Sequence, residues 1–311
     1  MPTSINIEEI LCDVPGATGH RYAVIDSAGH RMDTVKIIPD PSGGYLAVFH
    51  TDDEVHLADS TDLLNWVFRC TLDGNATQPT ICSLPTGGFL TAVEYNNQTG
   101  RGGRLRLRHY PSLDALQDGA FDRERTLRRT LSRCNEGTPS ISSVSLDPDI
   151  DHSVIDLGLH YHRNCDVDRQ ARGRLTDFTD FIASPDPAVD DLLIAAAAAQ
   201  GQVVGGNIGD RDAAIFDGVL YTLYEVQYAK GDFGSWRVYL RDGRTDTAGY
   251  LPIVTHGGST AFANPTITAI TSPAGRPAIV ATMFLPSEGA APGEAGPLIY
   301  YREYDLAPGR T

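Results

Sequence analysis

The sequence is nearly without lysine. Lys36 and Lys230 are the only two among 311 residues, and acidic side chains outnumber basic ones to give a formal net charge of −15. Such a surface repels a phosphate backbone and an anionic bilayer, which excludes nucleic acid and membrane as partners. Apolar runs long enough to span a bilayer are missing, and the N-terminus Met1-Pro-Thr-Ser-Ile-Asn-Ile-Glu-Glu has neither the basic nor the apolar region of a secretory leader. The chain reads as cytoplasmic, or as secreted if a leader has been removed. Cysteine is sparse: Cys12, Cys70, Cys82, Cys134 and Cys165 never form a C-x-x-C pair, so zinc and redox motifs are absent. Their odd number and scatter suit buried free thiols in a reducing compartment, with one disulfide plus spare thiols as the alternative. No Gly-x-Ser-x-Gly elbow supports a serine triad, and no Walker loop or Gly-x-Gly-x-x-Gly implies a nucleotide cofactor.

Turn-forming residues, by contrast, are plentiful. Thirty-one glycines and nineteen prolines favour many turns over long helices, and 41% apolar with 21% charged residues is ordinary for a soluble globular chain. The class is therefore mostly β. Within it one short unit recurs. Glu136-Gly-Thr-Pro-Ser-Ile141 continues as a small residue, Pro, a hydroxyl residue and Ile, which echoes Gln78-Pro-Thr-Ile81 and Asn264-Pro-Thr-Ile267. Looser copies are Asp33-Thr-Val-Lys-Ile37 and Asp212-Ala-Ala-Ile215.

Each copy opens a run of short strands parted by Gly, Pro, Asp and Asn clusters. After a lead-in with one strand at Arg21–Asp26, the first unit runs from Asp33 through Tyr45–His50 and Glu54–Asp59 to a closing Ser60-Thr-Asp-Leu-Leu-Asn-Trp66. In that closing turn Trp66 is placed to pack between blades. The second repeats this pattern, with Gly87-Gly-Phe-Leu90 matching Gly43-Gly-Tyr-Leu46; its Arg-Leu alternation over 104–108 points leucines at the packing and arginines at solvent. An alanine run ended by Gly201 marks a helix over 187–200, between the third and fourth units. Unit starts at 33, 78, 138, 212 and 264 stand 45, 60, 74 and 52 residues apart. That period fits an all-β, five-bladed β-propeller occupying 1–311 as one domain.

In a propeller the first strand of every blade lines the central channel. The five starts then converge at one end of the axis, gathering Asp33, Gln78, Glu136, Asp212 and Asn264. Crowded carboxylates there have their pKa values pushed apart, as an acid and a base acting on one reaction require.

Asp33 opening the first unit, the ending Ala58-Asp-Ser-Thr-Asp-Leu-Leu-Asn-Trp66, and Asn135-Glu-Gly-Thr-Pro-Ser-Ile141 opening the third resemble the markers of the five-bladed propeller glycosidases, above all glycoside hydrolase family 43 and its relatives. The resemblance spans 30–305 in unit order and implies an inverting hydrolase of a glycoside or oligosaccharide. Asp33 takes the role of general base and Glu136 that of general acid, the two roughly 6.5–9.5 Å apart. One departure stands out: the second-blade Asp that orients the acid in that family falls at Gln78. A glutamine donates hydrogen bonds but supplies no negative charge, and Asp212 is the candidate to supply it from the fourth blade. Arg31, Gln78, Arg211 and Asn264 are candidate substrate donors, and His256 a candidate for an axial position beside an ion; no other cofactor is implied. His160 and His162 lack a third ligand for a metal. Because of Gln78, two other readings stay open: a noncatalytic carbohydrate- or ligand-binding propeller, and one recruited for acid/base cyclisation or isomerisation of a small metabolite. The irregular segments 96–104, 164–172 and 229–235 are where specificity is expected.

Overall fold

Short strands separated by tight turns can satisfy their backbone groups locally only as antiparallel meanders. The computed structural model, which describes residues 6–96 and 102–305, folds in that way throughout. The N-terminal strand β1 (Gly19–Tyr22) stands apart from the meander it belongs to. Blade I holds β2 (Asp33–Pro39), β3 (Tyr45–Thr51), β4 (Glu54–Ser60) and β5 (Val67–Gly74); blade II holds β6 (Ala76–Ser83), β7 (Phe89–Tyr95), β8 (Arg104–Tyr110) and β9 (Arg123–Thr126). Blade III holds β10 (Glu136–Leu146), β11 (Ser153–Arg163), β12 (Val167–Thr176) and β13 (Asp180–Pro185). Blade IV holds β14 (Ile208–Phe216), β15 (Val219–Gln227), β16 (Trp236–Asp242) and β17 (Thr247–Tyr250), and blade V holds β18 (Ala263–Thr271), β19 (Pro277–Leu285) and β20 (Gly296–Glu303). Spatial order follows chain order in each sheet, and β1 completes blade V by pairing Gly19 with Tyr301 and Tyr22 with Leu298. The first strands of neighbouring blades touch around the ring, which makes this a five-bladed β-propeller.

Apolar clusters glue four of the five seams. Ile38, Leu57, Ile81 and Phe89 join blades I and II, and Leu90, Leu107, Ile155 and Leu159 join II and III. Leu223, Val238, Ile279 and Met283 join IV and V, with Ile10 and Leu11 of helix α1 (Ile7–Cys12) packed against them. Val280 and Ile299 of blade V pack with Val35 and Trp66 and so close V onto I. Between III and IV the described residues form no such cluster. There the chain relies on polar links: Gln170 Nε2 donates to Ile208 O at 3.0 Å, Arg169 to Gly206 O at 2.8 Å, and Arg211 to Leu159 O at 2.8 Å. Helix α2 (Leu113–Gln117) flanks blade II. Helix α3 (Pro187–Ala199) follows blade III and buries Val189, Leu193 and Ala197 on Ile208, Tyr224 and Tyr239.

Several sequence expectations change. The lead-in strand is Gly19–Tyr22, not Arg21–Asp26, because its register is set by β20. Segment 164–172 is not an open loop; β12 begins at Val167 and pairs with β11 along its length. In the 96–104 loop, residues 97–101 lie outside the described residues. The alternation in β8 is incomplete, since Arg106 is buried: it pairs with Asp73 and lies 3.7 Å over the Tyr95 ring. The cysteines are not all free, for Cys134 and Cys165 form a disulfide. Cys12, Cys70 and Cys82 remain thiols, and burial pushes them up to about 11, 11 and 12.

Candidate functional site

Near its start every first strand slips register against the second by one residue, a β-bulge at the same height in each blade. The bulged pairs are Thr34-Val35, Gln78-Pro79, Thr138-Pro139, Gly209-Asp210 and Asn264-Pro265. Thr34, Gln78, Thr138 and Asn264 adopt left-handed φ values of 49°, 52°, 42° and 49°, uncommon outside glycine. Local strain of this kind persists only where surroundings over-determine it. Here the bulge side chains tie one another down: Asn264 Nδ2 donates to Thr34 Oγ1 at 2.6 Å, and Thr34 donates on to Gln78 Oε1 at 2.7 Å.

The bulge N–H groups are held by acceptors projecting from second strands. Gln78 N donates to His50 Nδ1 at 3.4 Å, Thr138 N to Glu94 Oε2 at 3.2 Å, and Asn264 N to Glu225 Oε2 at 2.6 Å, each across a seam. Glycine makes two of these approaches possible. A Cβ on Gly137 would collide with Glu94 Oε2, and one on Gly209 would collide with Glu225 Oε1.

These contacts concentrate acid at the blade III–IV corner. Asp210 N donates to Glu225 Oε1 at 3.0 Å, and both side chains are buried. Burial, then the proximity of Glu225 and Glu94, pushes the Asp210 carboxyl well above its usual range; Glu225 is also raised, chiefly by burial. Thr138 hydrogen-bonds Asp210 and also His160 Nδ1, whose Nε2 lies 3.6 Å from Asp168. Asp168, His160, Thr138, Asp210 and Glu225 thus form a chain of titratable and hydroxyl groups running inward from the rim.

On the axis itself there is little space. A cavity of about 20 Å³, room for roughly one water molecule, is bordered by Thr34, Lys36, Gln78, Thr138, Asp210 and Asp212. Lys36 and Asp212 form an ion pair, each almost fully buried. Lys36 Nζ also donates to Ile267 O and Asp212 Oδ2 accepts from Ile267 N, both at 2.9 Å. A cation therefore already sits on the axis, supplied by the chain.

The candidates named from sequence separate into groups. Gln78, Asn264 and Asp212 meet around the axis. Asp33 and Glu136 do not border the axial cavity. Asp33 stands one residue before its bulge; its Oδ2 accepts two bonds from Arg31, at 2.7 and 3.1 Å, while its Oδ1 is buried without a partner among the described residues. Burial raises the Asp33 carboxyl and Arg31 opposes the rise. Glu136, two residues before its bulge, turns the other way, and its Oε1 accepts backbone N–H bonds from Thr130, Leu131 and Ser132. It clamps the 130–135 loop that carries Cys134. Arg31 is exposed at the rim over Phe284, and Arg211 is lodged in the III–IV seam. His256 packs at the blade V edge, stacked on His20 at 4.4 Å and hydrogen-bonded to Tyr22. Among the described residues no three His, Cys, Asp or Glu side chains are grouped as metal ligands.

Sequence reasoning passed over Asp210, Glu94, Glu225, His160 and Lys36 as site residues. A signal existed for two of them. Glu94 in Thr91-Ala-Val-Glu and Glu225 in Leu223-Tyr-Glu-Val are acids within second strands whose neighbours are apolar.

No protein-family model and no curated protein matches the sequence. Solved structures do match in fold. A thermostable family-43 glycoside hydrolase superposes with a TM-score of 0.57 at 11% identity, covering 93% of this chain and 95% of that one. An exo-1,5-alpha-L-arabinanase from a bovine ruminal metagenomic library gives 0.57 at 11%, covering 92% and 97%. An alpha-L-arabinofuranosidase from Lactobacillus brevis gives 0.58 at 8%, covering 87% and 90%. At such identities the likeness is one of fold.

Proposed function

We propose that this protein hydrolyses a glycosidic bond in an arabinose-containing oligosaccharide, with inversion, and that Asp210 is the proton donor. The observation that carries the reading is the buried Asp210–Glu225 pair. It lies at the end of the axis where the blades begin, in a fold shared with arabinanases and arabinofuranosidases. Two carboxyls so close and so buried favour retention of a proton on the pair, which is the state a general acid needs near neutral pH. Glu225 does for Asp210 what Gln78 cannot do for any neighbour: it supplies negative charge that keeps a proton bound. Asp33 is the proposed base: its buried Oδ1 has no hydrogen-bond partner among the described residues and so keeps its acceptor capacity for a water brought in with the substrate. Asp212 is reassigned from tuning the acid to holding Lys36.

A noncatalytic carbohydrate-binding propeller is favoured by a different observation, the Asn264–Thr34–Gln78 hydrogen-bond chain that links blades V, I and II beside a one-water cavity. One experiment separates the two. Arabino-oligosaccharides and a panel of aryl furanosides and pyranosides are incubated with the wild type, Asp210→Asn and Glu136→Gln. Hydrolysis abolished by Asp210→Asn and retained by Glu136→Gln supports the proposal. Saturable oligosaccharide binding with no released product from the wild type establishes the binding reading instead, and loss of hydrolysis in Glu136→Gln with an intact fold returns the acid role to Glu136.

A further inference from the structure

The polar seam between blades III and IV leaves a cleft of about 510 Å³, within the size range of small-molecule sites. It is not the axial cavity. It lies between the facing surfaces of the two blades, and its walls are Ser140, Ser142 and Gly158 on one side and Ala213, Thr222 and Tyr224 on the other. A second hollow of about 660 Å³ continues it outward past Ser142, Leu157 and Arg172.

Charge in the cleft is unbalanced. Arg172 pairs with Asp186 at 3.1 Å, Asp212 is taken by Lys36, and Arg241 pairs with Asp246. Arg211 has no carboxylate within ion-pair distance among the described residues; its Nη2 donates to two backbone carbonyls, Leu159 O and Ala171 O. Gly158 admits the guanidinium, since a Cβ there would collide with its Nε. An arginine retains its charge even when buried, so one positive charge on the cleft wall has no ion-pair partner among the described residues; Tyr224 hydrogen-bonds it, and Asp186 and Asp190 act on it only from farther off. The mouth has the opposite character. Ile215 and Leu220 border the cleft and Ile182 the outer hollow, and they are 64%, 52% and 75% exposed.

We infer that this cleft is a binding site for a small organic carboxylate carried on an apolar body. The carboxylate meets Arg211 with the Tyr224 hydroxyl beside it, and the apolar body covers Ile215 and Leu220. Both Nη2 hydrogens are spent on Leu159 O and Ala171 O and Nε is sealed against Gly158, so the carboxylate is taken end-on, at Nη1. A compact dianion such as phosphate is disfavoured, because Asp186 and Asp212 line the same space and nothing in it covers the aliphatic mouth.

The test is a calorimetric and amide-NMR titration of the whole chain with 4-phenylbutyrate, against 4-phenylbutyramide and inorganic phosphate. The expected result is saturable binding of the acid, at least tenfold weaker binding of the amide and of phosphate, and shifts confined to 140–142, 157–158, 211–215 and 220–224. Arg211→Gln is expected to lose binding. Because that residue also bridges two blades, Leu220→Glu at the exposed mouth serves as the second variant and is expected to weaken binding at least tenfold with the Tm unchanged. Equal affinity for acid and amide, matching affinity for phosphate, shifts elsewhere, indifference to Leu220→Glu, or no saturable binding at millimolar acid would each overturn the inference. Aryl glycoside hydrolysis, where present, is expected to be unaffected by Leu220→Glu, so this site and the axial one stand or fall separately.

Discussion

The backbone N–H of Asp210 donates to the carboxylate of Glu225 at 3.0 Å, so a bulge in the first strand of blade IV is fastened to an acid on the second. The same carboxylate accepts from Asn264 N of blade V at 2.6 Å. One buried acid therefore holds two bulges and also adds to the effect of burial in raising the proton affinity of a third group, the Asp210 carboxyl. Structural and chemical roles coincide in Glu225, and Glu225→Gln is accordingly the less informative substitution of the pair.

Asp210→Asn is the sharper one. It is nearly isosteric, and loss of a general acid lowers kcat by about 10²–10⁴-fold. Steady-state kinetics on the best substrate of the panel measures it, with circular dichroism as the fold control. Glu136→Gln is expected to behave in the converse way, with kcat changed no more than a few-fold and stability reduced by roughly 1–3 kcal/mol. It removes a charge that three backbone N–H groups share.

Asp190 gives a pH signature in a different part of the molecule. It sits in the first turn of α3, accepts from Gln170 N at 3.1 Å, and is pushed up to about 6, mainly by burial. Its folded value exceeds its unfolded one, so between roughly pH 4 and pH 6 the folded chain binds more protons and stability falls as pH rises. Asp190→Asn is expected to flatten that part of the curve and to stabilise the chain at pH 8 by about 2 kcal/mol relative to its effect at pH 4. Urea unfolding at several pH values decides it; an unchanged slope would contradict the assignment.

Breaking the axial ion pair exposes the asymmetry of buried charge. Lys36→Met strands Asp212 and is expected to cost about 3–5 kcal/mol, as is Asp212→Leu, which strands Lys36. The double variant Lys36→Met/Asp212→Leu is expected to recover most of the loss, because it leaves no orphaned charge. A double-mutant cycle in chemical denaturation measures the coupling, and strict additivity is the result that would refute it.

The Cys134–Cys165 bond closes a loop of 31 residues and ties the Glu136-clamped segment to the turn between the second and third strands of blade III. Replacing both by serine, or reduction, is expected to lower stability by about 2–4 kcal/mol. Thermal melts with and without reductant test this, with the serine double variant insensitive to the reductant.

The blade count and the helix after blade III were legible because each rests on local chemistry: Pro after a residue of special φ, Gly-Gly turns, and an alanine run closed by glycine. The fourth start was not, for that strand begins at Ile208 and bulges at Gly209-Asp210, where no Pro marks it, rather than at Asp212. Which residues of each start border the axial cavity was not legible, as Asp33 and Glu136 illustrate. A strand's side chains alternate faces, so a bulge re-aims the residues after it and leaves those before it on another face. Thr34 and Thr138, one and two residues further on, take the positions that border the axis. Nothing in the local sequence marks where a bulge will fall. Lys36 and Asp212 are 176 residues apart and meet only because the ring closes, and the disulfide likewise depends on two turns brought together at one end of blade III. Such pairings carry no short-range signature.

Closure of the ring by β1 also sets the order in which the chain acquires its structure. Gly19 pairs with Tyr301, so β1 waits for a partner made about 280 residues later, and until the two meet blade V carries an unpaired edge on β20. Contacts this distant in sequence form slowly and leave strand edges open to other chains while they do. A chain deprived of residues 19–22 should then fold its first four blades but associate through β20, so that losses on refolding rise with protein concentration; adding the missing strand as a peptide should suppress them.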